Sequence, residues 1–308
     1  LLFFVGTCAP PPPSPTYAFY HWQTKLAVPP EILREYDARR VYVKAFDVSW
    51  TDGRASPSAI LEVEDVTRAD YVPVIFITNE VMRYDSPTLV NDVVGLLGRS
   101  FPFDHDEIQI DCDWTAETQV QYFQFLKKLA DISGKSISCT LRLHQYRDRE
   151  RQGVPPVDRV VLMAYNTGDL GKWETENSIV DTTVIAAYVK GQPLYPLPLD
   201  LAVAAYDWAA VYRYGELAYL INEPELEELA DTSRFTPLTD LRYKVHKSTY
   251  YSGLYLYRND LLRREIVDRA SAERLARSLW PRVANAGSRY LVIYRINSRQ
   301  WTAPLPPL

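Results

Sequence analysis

IQIDCDWT, residues Ile108–Thr115, begins as an apolar strand and ends on two alternating aspartates, a tryptophan and a threonine. In a β-strand successive side chains point to opposite faces, so Asp111 and Asp113 share one face while Cys112 and Trp114 share the other. Two carboxylates aimed the same way from a strand end are unfavourable to hold unless something uses them. What surrounds this strand decides what it can be.

Similar runs punctuate the chain: TYAFYHW from Thr16, RVYVKAFDV from Arg40, YVPVIFIT from Tyr71, SISCTLRLH from Ser136, DRVVLMAY from Asp158, LDLAVAAY from Leu199 and RYLVIYRI from Arg289. With EIQIDCDW from Glu107 they make eight. Most are rich in Val, Ile and Tyr without clean polar alternation, as strands buried on both faces should be. Helical spacing fills the intervals at Pro30–Arg39, Ser86–Gly98, Ala116–Ser133, Ser178–Lys190 and Ser271–Ala286. Eight strands alternating with helices, and no Gly-rich nucleotide loop after the first, predict an eight-stranded (β/α)8 TIM barrel over 17–308 rather than a doubly wound sheet.

One interval is too long. Between strand seven, ending near Tyr206, and strand eight, starting near Arg289, lie an acidic patch and the tyrosine-rich YKVHKSTYYSGLYLYRND. An inserted lobe near 209–260, over the barrel mouth, is expected; a long irregular connection with an extra helix is the alternative.

The 308 residues are 47% hydrophobic and 24% charged, an ordinary globular composition, and the net charge of −5 argues against nucleic-acid binding. The 22 Tyr and 7 Trp serve core packing, a groove for flat amphipathic ligands such as sugars, or both. Three cysteines make no disulfide framework, and Cys112 and Cys139 read as small buried apolar residues. The start, LLFFVGTCAPPPPSPT, resembles the tail of a bacterial lipoprotein signal peptide with Cys8 as the lipidated residue. Thr7 stands where Gly or Ala is usual, and an incidental cysteine after a secretory signal is the alternative. Residues 1–16 are thus expected to be a signal remnant, lipidation cysteine and Pro-rich tether, outside the fold. They imply a protein of the bacterial cell envelope that touches the membrane only through that anchor; a monomer is expected.

Active sites of such barrels lie at the C-terminal strand ends. Those ends carry His21, Trp22 and Gln23; Asp47 and Trp50; Thr78 and Asn79; Asp111, Asp113 and Trp114. The later strands add Arg142, His144 and Gln145; Tyr165 and Asn166; Tyr206, Asp207 and Trp208; Arg295 and Asn297. The polar and aromatic character of every end points to a working cleft. Cofactors are not expected, and neither is a metal: the four histidines show no ligand spacing, although His21 and His144 could both reach the mouth with Asp113.

DCDWT on strand four and LMAYN (Leu162–Asn166) on strand six together resemble the chitinase-type glycoside hydrolase family 18. That family ends strand four with D-x-x-D-x-D-x-E and strand six with M-x-Y-D. Asp111 and Asp113 match its second and third aspartates, and Met163 and Tyr165 its methionine and tyrosine. The resemblance implies that Asp113 orients, and Tyr165 hydrogen-bonds, a substrate acetamide that attacks its own sugar carbon. The departures are Ile108 for the first aspartate, Thr115 for the catalytic glutamate, Asn166 for the last aspartate, and PVIFITN on strand three. Threonine cannot act as a general acid at neutral pH, so the family mechanism cannot run from position 115.

Three readings follow. One is a carbohydrate-binding barrel that has lost the acid, with Trp22, Asp47, Trp114, His144, Gln145, Asn166, Tyr206, Trp208 and Arg295 as candidate ligand contacts. Another is a hydrolase with a rearranged carboxylate pair, Asp113 with Asp207 or Asp47, and with Asp111 and Tyr165 as further catalytic candidates. The last is an envelope scaffold that merely uses the barrel. A structural account of the aspartates also stands, pairing Asp111 with Arg142 and Asp113 with His144.

Overall fold

Eight parallel strands close on themselves: β1 (Thr16–His21), β2 (Arg40–Thr51), β4 (Asp70–Ile77), β5 (Glu107–Asp111), β6 (Ser136–Arg142), β7 (Arg159–Met163), β8 (Leu199–Ala204) and β16 (Tyr290–Tyr294). Closure comes from β1, which pairs with both β2 and β16. The structure, a computed structural model, describes residues 13–64, 66–84 and 86–302. Cys8 and the proposed signal remnant lie outside the described residues. Among the described residues no helix is long and apolar enough to cross a membrane.

Helices between the strands complete the (β/α)8 architecture: α1 (Pro30–Glu35), α2 (Leu89–Ser100), α3 (Gln119–Ser133), α4 (Leu143–Arg147), α5 (Arg149–Gln152), α6 (Thr182–Val189) and α8 (Arg269–Val283). Local chemistry sets their limits. Asp181 caps α6 by accepting from the amides of Thr183 and Val184, and Asp268 caps α8 through Ser271. At the other end of α3, Gly134 takes the left-handed conformation, φ 63°, that ends a helix without a Cβ clash. This helix turns Tyr122, Phe125, Leu126 and Leu129 onto the barrel. Burying each such side chain is worth roughly 1.5–3 kcal/mol. Against the same layer, Cys112 and Cys139 are buried free thiols, and burial pushes Cys139 up to about 12.

β2 runs beyond the barrel into a hairpin with β3 (Arg54–Ser58). Its two-residue turn is Asp52-Gly53, both at positive φ, the geometry that matches the twist of paired strands. The interval between the seventh and eighth barrel strands is an inserted lobe. It contains β9 (Tyr206–Arg213), β10 (Glu216–Asn222), α7 (Leu226–Leu229), β11 (Phe235–Thr239), β12 (Arg242–Val245), β13 (Thr249–Tyr251), β14 (Leu254–Leu256) and β15 (Leu261–Val267). Five of these strands form an antiparallel sheet in the order β10-β9-β15-β12-β11, and β13–β14 is a separate hairpin. Val211, Phe235, Val245, Tyr251 and Leu262 build a small core of its own. The lobe strands thus run from Tyr206 to Val267, beyond both ends of the expected 209–260, and β8 stops at Ala204.

The barrel interior is polar toward its N-terminal end. The Tyr20 hydroxyl donates to Gln109 Oε1 at 2.6 Å, Gln109 Nε2 to Ser138 Oγ, and Ser138 Oγ to Glu107, whose other oxygen accepts from Arg40. Asp200, fully buried at the start of β8, accepts from Arg159 and from the amides of Arg289 and Tyr290. Each of these interior groups has a partner, as a low-dielectric environment favours.

Candidate functional site

A cavity of about 230 Å³ opens at the C-terminal end of the barrel. β1 and its continuation supply Tyr20 and Trp22, β2 supplies Asp47, and β16 supplies Tyr294. β5 and the residues after it supply Asp111 and Asp113, β6 Thr140 and Arg142, and β7 and its extension Met163, Tyr165 and Asn166. A smaller pocket of about 90 Å³ shares Arg142, Met163, Tyr165 and Asn166 and adds His144 and Tyr188.

Strand register sets the electrostatics. Ile110 of β5 sits beside Cys139 of β6, which puts Asp111 next to Thr140, while Asp113, two residues past the end of β5, meets Arg142 at the end of β6. Arg142 grips Asp113 with both arms of its fork, Nε donating at 2.7 Å and Nη2 at 2.8 Å. Asp111 accepts the Thr140 hydroxyl at 2.6 Å. The expected Asp111–Arg142 and Asp113–His144 pairs are therefore corrected to Asp111–Thr140 and Asp113–Arg142. Asp47 pairs with Lys44 at 2.9 Å, and the Lys44 ammonium lies 5.8 Å from the Trp22 ring centroid. Burial, reinforced by the neighbouring Asp113 charge, pushes the Asp111 carboxyl up to about 6.

Rings line one side. Trp22 meets Tyr20 and Tyr294 edge-on, each with centroids 5.9 Å apart, while Tyr165 stacks on Tyr294 at 5.3 Å. Tyr206 stands behind this wall, edge-on to Tyr294, and its hydroxyl donates to Asn166 Oδ1 at 2.6 Å. It positions Asn166 without lining the cavity.

Of the residues singled out in the sequence, Trp22, Asp47, Asp111, Asp113, Tyr165 and Asn166 come together here, with His144 in the adjoining pocket. Others do not. Trp114 is fully buried, stacked on Tyr122 at 5.1 Å, and its indole N–H donates to the Gln152 carbonyl. β5 has ended at Asp111, so the turn that follows carries Trp114 under the helices. Gln145, also fully buried, braces that turn by accepting from the Arg142 amide and donating to the Trp114 carbonyl.

Asp207 is the largest correction. It belongs to the lobe sheet, its side chain has no exposure, and Arg299, Arg264 and Gln300 enclose it. It cannot face Asp113 across the mouth. Trp208 donates its indole N–H to Glu265, and Arg295 pairs with Glu223 at 3.0 Å, fastening the lobe to the barrel rim. His21 is buried outside the cavity, accepting the Ala27 amide, and burial followed by the Arg295 charge lowers its pKa to about 4. Thr115 lies half-buried in the turn before α3, where its amide donates to Thr118 Oγ.

The sequence reading passed over Tyr20, Phe76, Thr140 and Tyr294 as cavity residues. Counting back two from Trp22, or from Arg142 to Thr140, finds two of them by strand alternation alone. Among the described residues, no group of three or more His, Cys, Asp or Glu side chains could hold a metal ion.

No family model matches the chain, and no curated protein matches it in sequence. Solved structures match it in fold. The spore cortex-lytic enzyme SleL of Bacillus cereus aligns over 94% of this chain and 74% of its own, with 14% identity and a TM-score of 0.51. A chitinase from Chromobacterium violaceum aligns over 94% of this chain and 100% of its own, with 10% identity and a TM-score of 0.50. The shared element is the TIM barrel, a likeness of fold and not of activity.

Proposed function

We propose that this protein is a carbohydrate-recognising barrel that holds a saccharide in the cavity at its C-terminal mouth. The observation that carries this reading is the composition of one wall: Trp22, Tyr294 and Tyr165 present aromatic surface beside Asp111, Asp113, Arg142 and Asn166. A sugar ring needs this pairing, an apolar face to cover its C–H groups and fixed polar groups for its hydroxyls. Asp113 in this arrangement is a charge-paired positioning group, since both its oxygens are engaged by Arg142. With threonine at the position of the chitinase-type acid, recognition rather than family-type hydrolysis follows.

One observation favours a second reading, hydrolysis by a rearranged pair. Asp111 keeps its proton up to about pH 6 and shares the cavity with Asp113 and Asp47. A protonated carboxyl near an ionised one is the minimal equipment of ordinary glycoside hydrolysis. Attachment to a bacterial envelope through Cys8 is a further part of the proposal, supported by the apolar, small-residue, cysteine and proline order of residues 1–16. Loss of fatty-acid labelling in Cys8→Ser tests it.

The deciding experiment titrates the protein with neutral, N-acetylated, amino and acidic oligosaccharides while monitoring release of reducing ends. Saturable binding without turnover, lost in Trp22→Ala, is expected. Turnover abolished by Asp111→Asn would establish the hydrolase instead.

A further inference from the structure

The charges in the cavity do not balance residue by residue. Three carboxylates line it, Asp47, Asp111 and Asp113. Asp47 has Lys44 and Asp113 has Arg142, each an ion pair at hydrogen-bond distance. Asp111 has no such cation. Among the described residues its Oδ1 takes the Thr140 hydroxyl and its Oδ2 has no partner. Yet Asp111 is only 8% exposed, and what exposure it has is to the cavity. A carboxylate taken out of water without a counter-charge is strongly disfavoured, and a cationic ligand relieves that.

The walls point the same way. The carboxylate shares its cavity with Tyr20, Trp22, Tyr165 and Tyr294, rings of the kind whose negative π potential attracts ammonium groups, and the Lys44 ammonium already lies 5.8 Å from the Trp22 centroid. A carboxylate beside an aromatic wall is the equipment for an organic cation. The Arg142 guanidinium does not cancel it, because Asp113 already neutralises Arg142 through two short hydrogen bonds. An anionic sugar would meet the unpaired Asp111 and two further carboxylates. A neutral acetamide would leave Asp111 uncompensated.

We propose that the ligand is an amino sugar, an oligosaccharide of glucosamine type whose free protonated amine sits against Asp111 beside the aromatic wall. This rests on the saccharide reading above and narrows its substrate class. Asp111 supplies the counter-charge, Trp22 and Tyr294 supply the apolar face, and Asn166, held by Tyr206, presents its amide to the sugar hydroxyls.

Calorimetric titration of the whole chain with three tetrasaccharides at pH 7.5 tests this: the glucosamine tetramer, its fully N-acetylated counterpart and the glucose tetramer. The glucosamine tetramer is expected to bind at least tenfold more tightly than either, with the margin shrinking as salt is raised. Asp111→Asn keeps the side-chain shape and can still accept from Thr140. It is expected to bring the glucosamine and N-acetylated tetramers within about twofold of each other. Equal binding of the three ligands by the wild type overturns the amino-sugar assignment and leaves the saccharide reading standing. Absence of binding by all three overturns both. A preference that survives Asp111→Asn means only that a protein of net charge −5 attracts a cation, and overturns the role of Asp111.

Discussion

Replacing Asp111 with asparagine should make the protein more stable at neutral pH. Burial raises the Asp111 pKa from 3.8 to about 6. In the unfolded chain the carboxyl gives up its proton near the lower value, in the folded chain near the higher. Between the two the folded state binds more protons, so stability falls as pH rises. The penalty is absent below 3.8 and complete above about 6. At about 1.4 kcal/mol per pH unit, the gap amounts to ~3 kcal/mol. Asparagine carries no charge, keeps the shape and still accepts the Thr140 hydroxyl. Its Tm at pH 8 should therefore exceed that of the wild type by roughly 5–8 °C, and at pH 4 by little. His21 also titrates in this range, with a pKa lowered to about 4, but identically in both proteins, so the difference isolates Asp111. Scanning calorimetry of the pair at the two pH values is the assay. An asparagine variant less stable at pH 8, or equally stabilised at both, would refute the argument that Asp111 is an uncompensated buried charge. Such a trade of stability for a poised group is common at binding sites.

Asp207→Asn should destabilise by about 3 kcal/mol, because it strands Arg299 and Arg264 around a buried neutral group, while ligand affinity stays unchanged. Urea unfolding beside a binding titration separates the two effects. Trp114→Ala should cost about 3–5 kcal/mol in the same unfolding measurement, by removing a fully buried ring and the donor to the Gln152 carbonyl. Thr115→Ala should leave binding within about twofold of wild type; a loss of any native activity in that variant would contradict the reading of this position as a replaced acid.

The barrel was legible because strands buried on both faces announce themselves by apolar runs, and eight such runs spaced by helical segments leave few alternatives. The cavity was legible in part. Trp22, Asp47, Asp113 and Tyr165 stand at strand ends that any such barrel aims at its mouth. Tyr20 and Thr140 lie one alternation deeper and Tyr294 directly precedes Arg295, and all three look like ordinary strand residues. Who pairs with whom was not legible, since Asp113 lies past the end of β5 and His144 past the end of β6, in the helix that starts at Leu143, so Asp113 meets Arg142 instead. Trp114 and Asp207 failed for a related reason. β5 stops at Asp111 and β8 at Ala204, and beyond those points the alternation that assigns faces no longer applies. The lobe hides its sheet in sequence because its strands are short, with tight turns at Tyr214-Gly215 and Ser252-Gly253.

The central claim is that the aromatic and carboxylate wall at the barrel mouth holds a sugar. The most direct measurement is calorimetric titration of the wild type and Trp22→Ala with the oligosaccharide panel under identical conditions. Saturable one-site binding by the wild type, weakened at least tenfold in a folded Trp22→Ala, is the predicted result. No binding across the whole panel, or equal binding by both proteins, would contradict it.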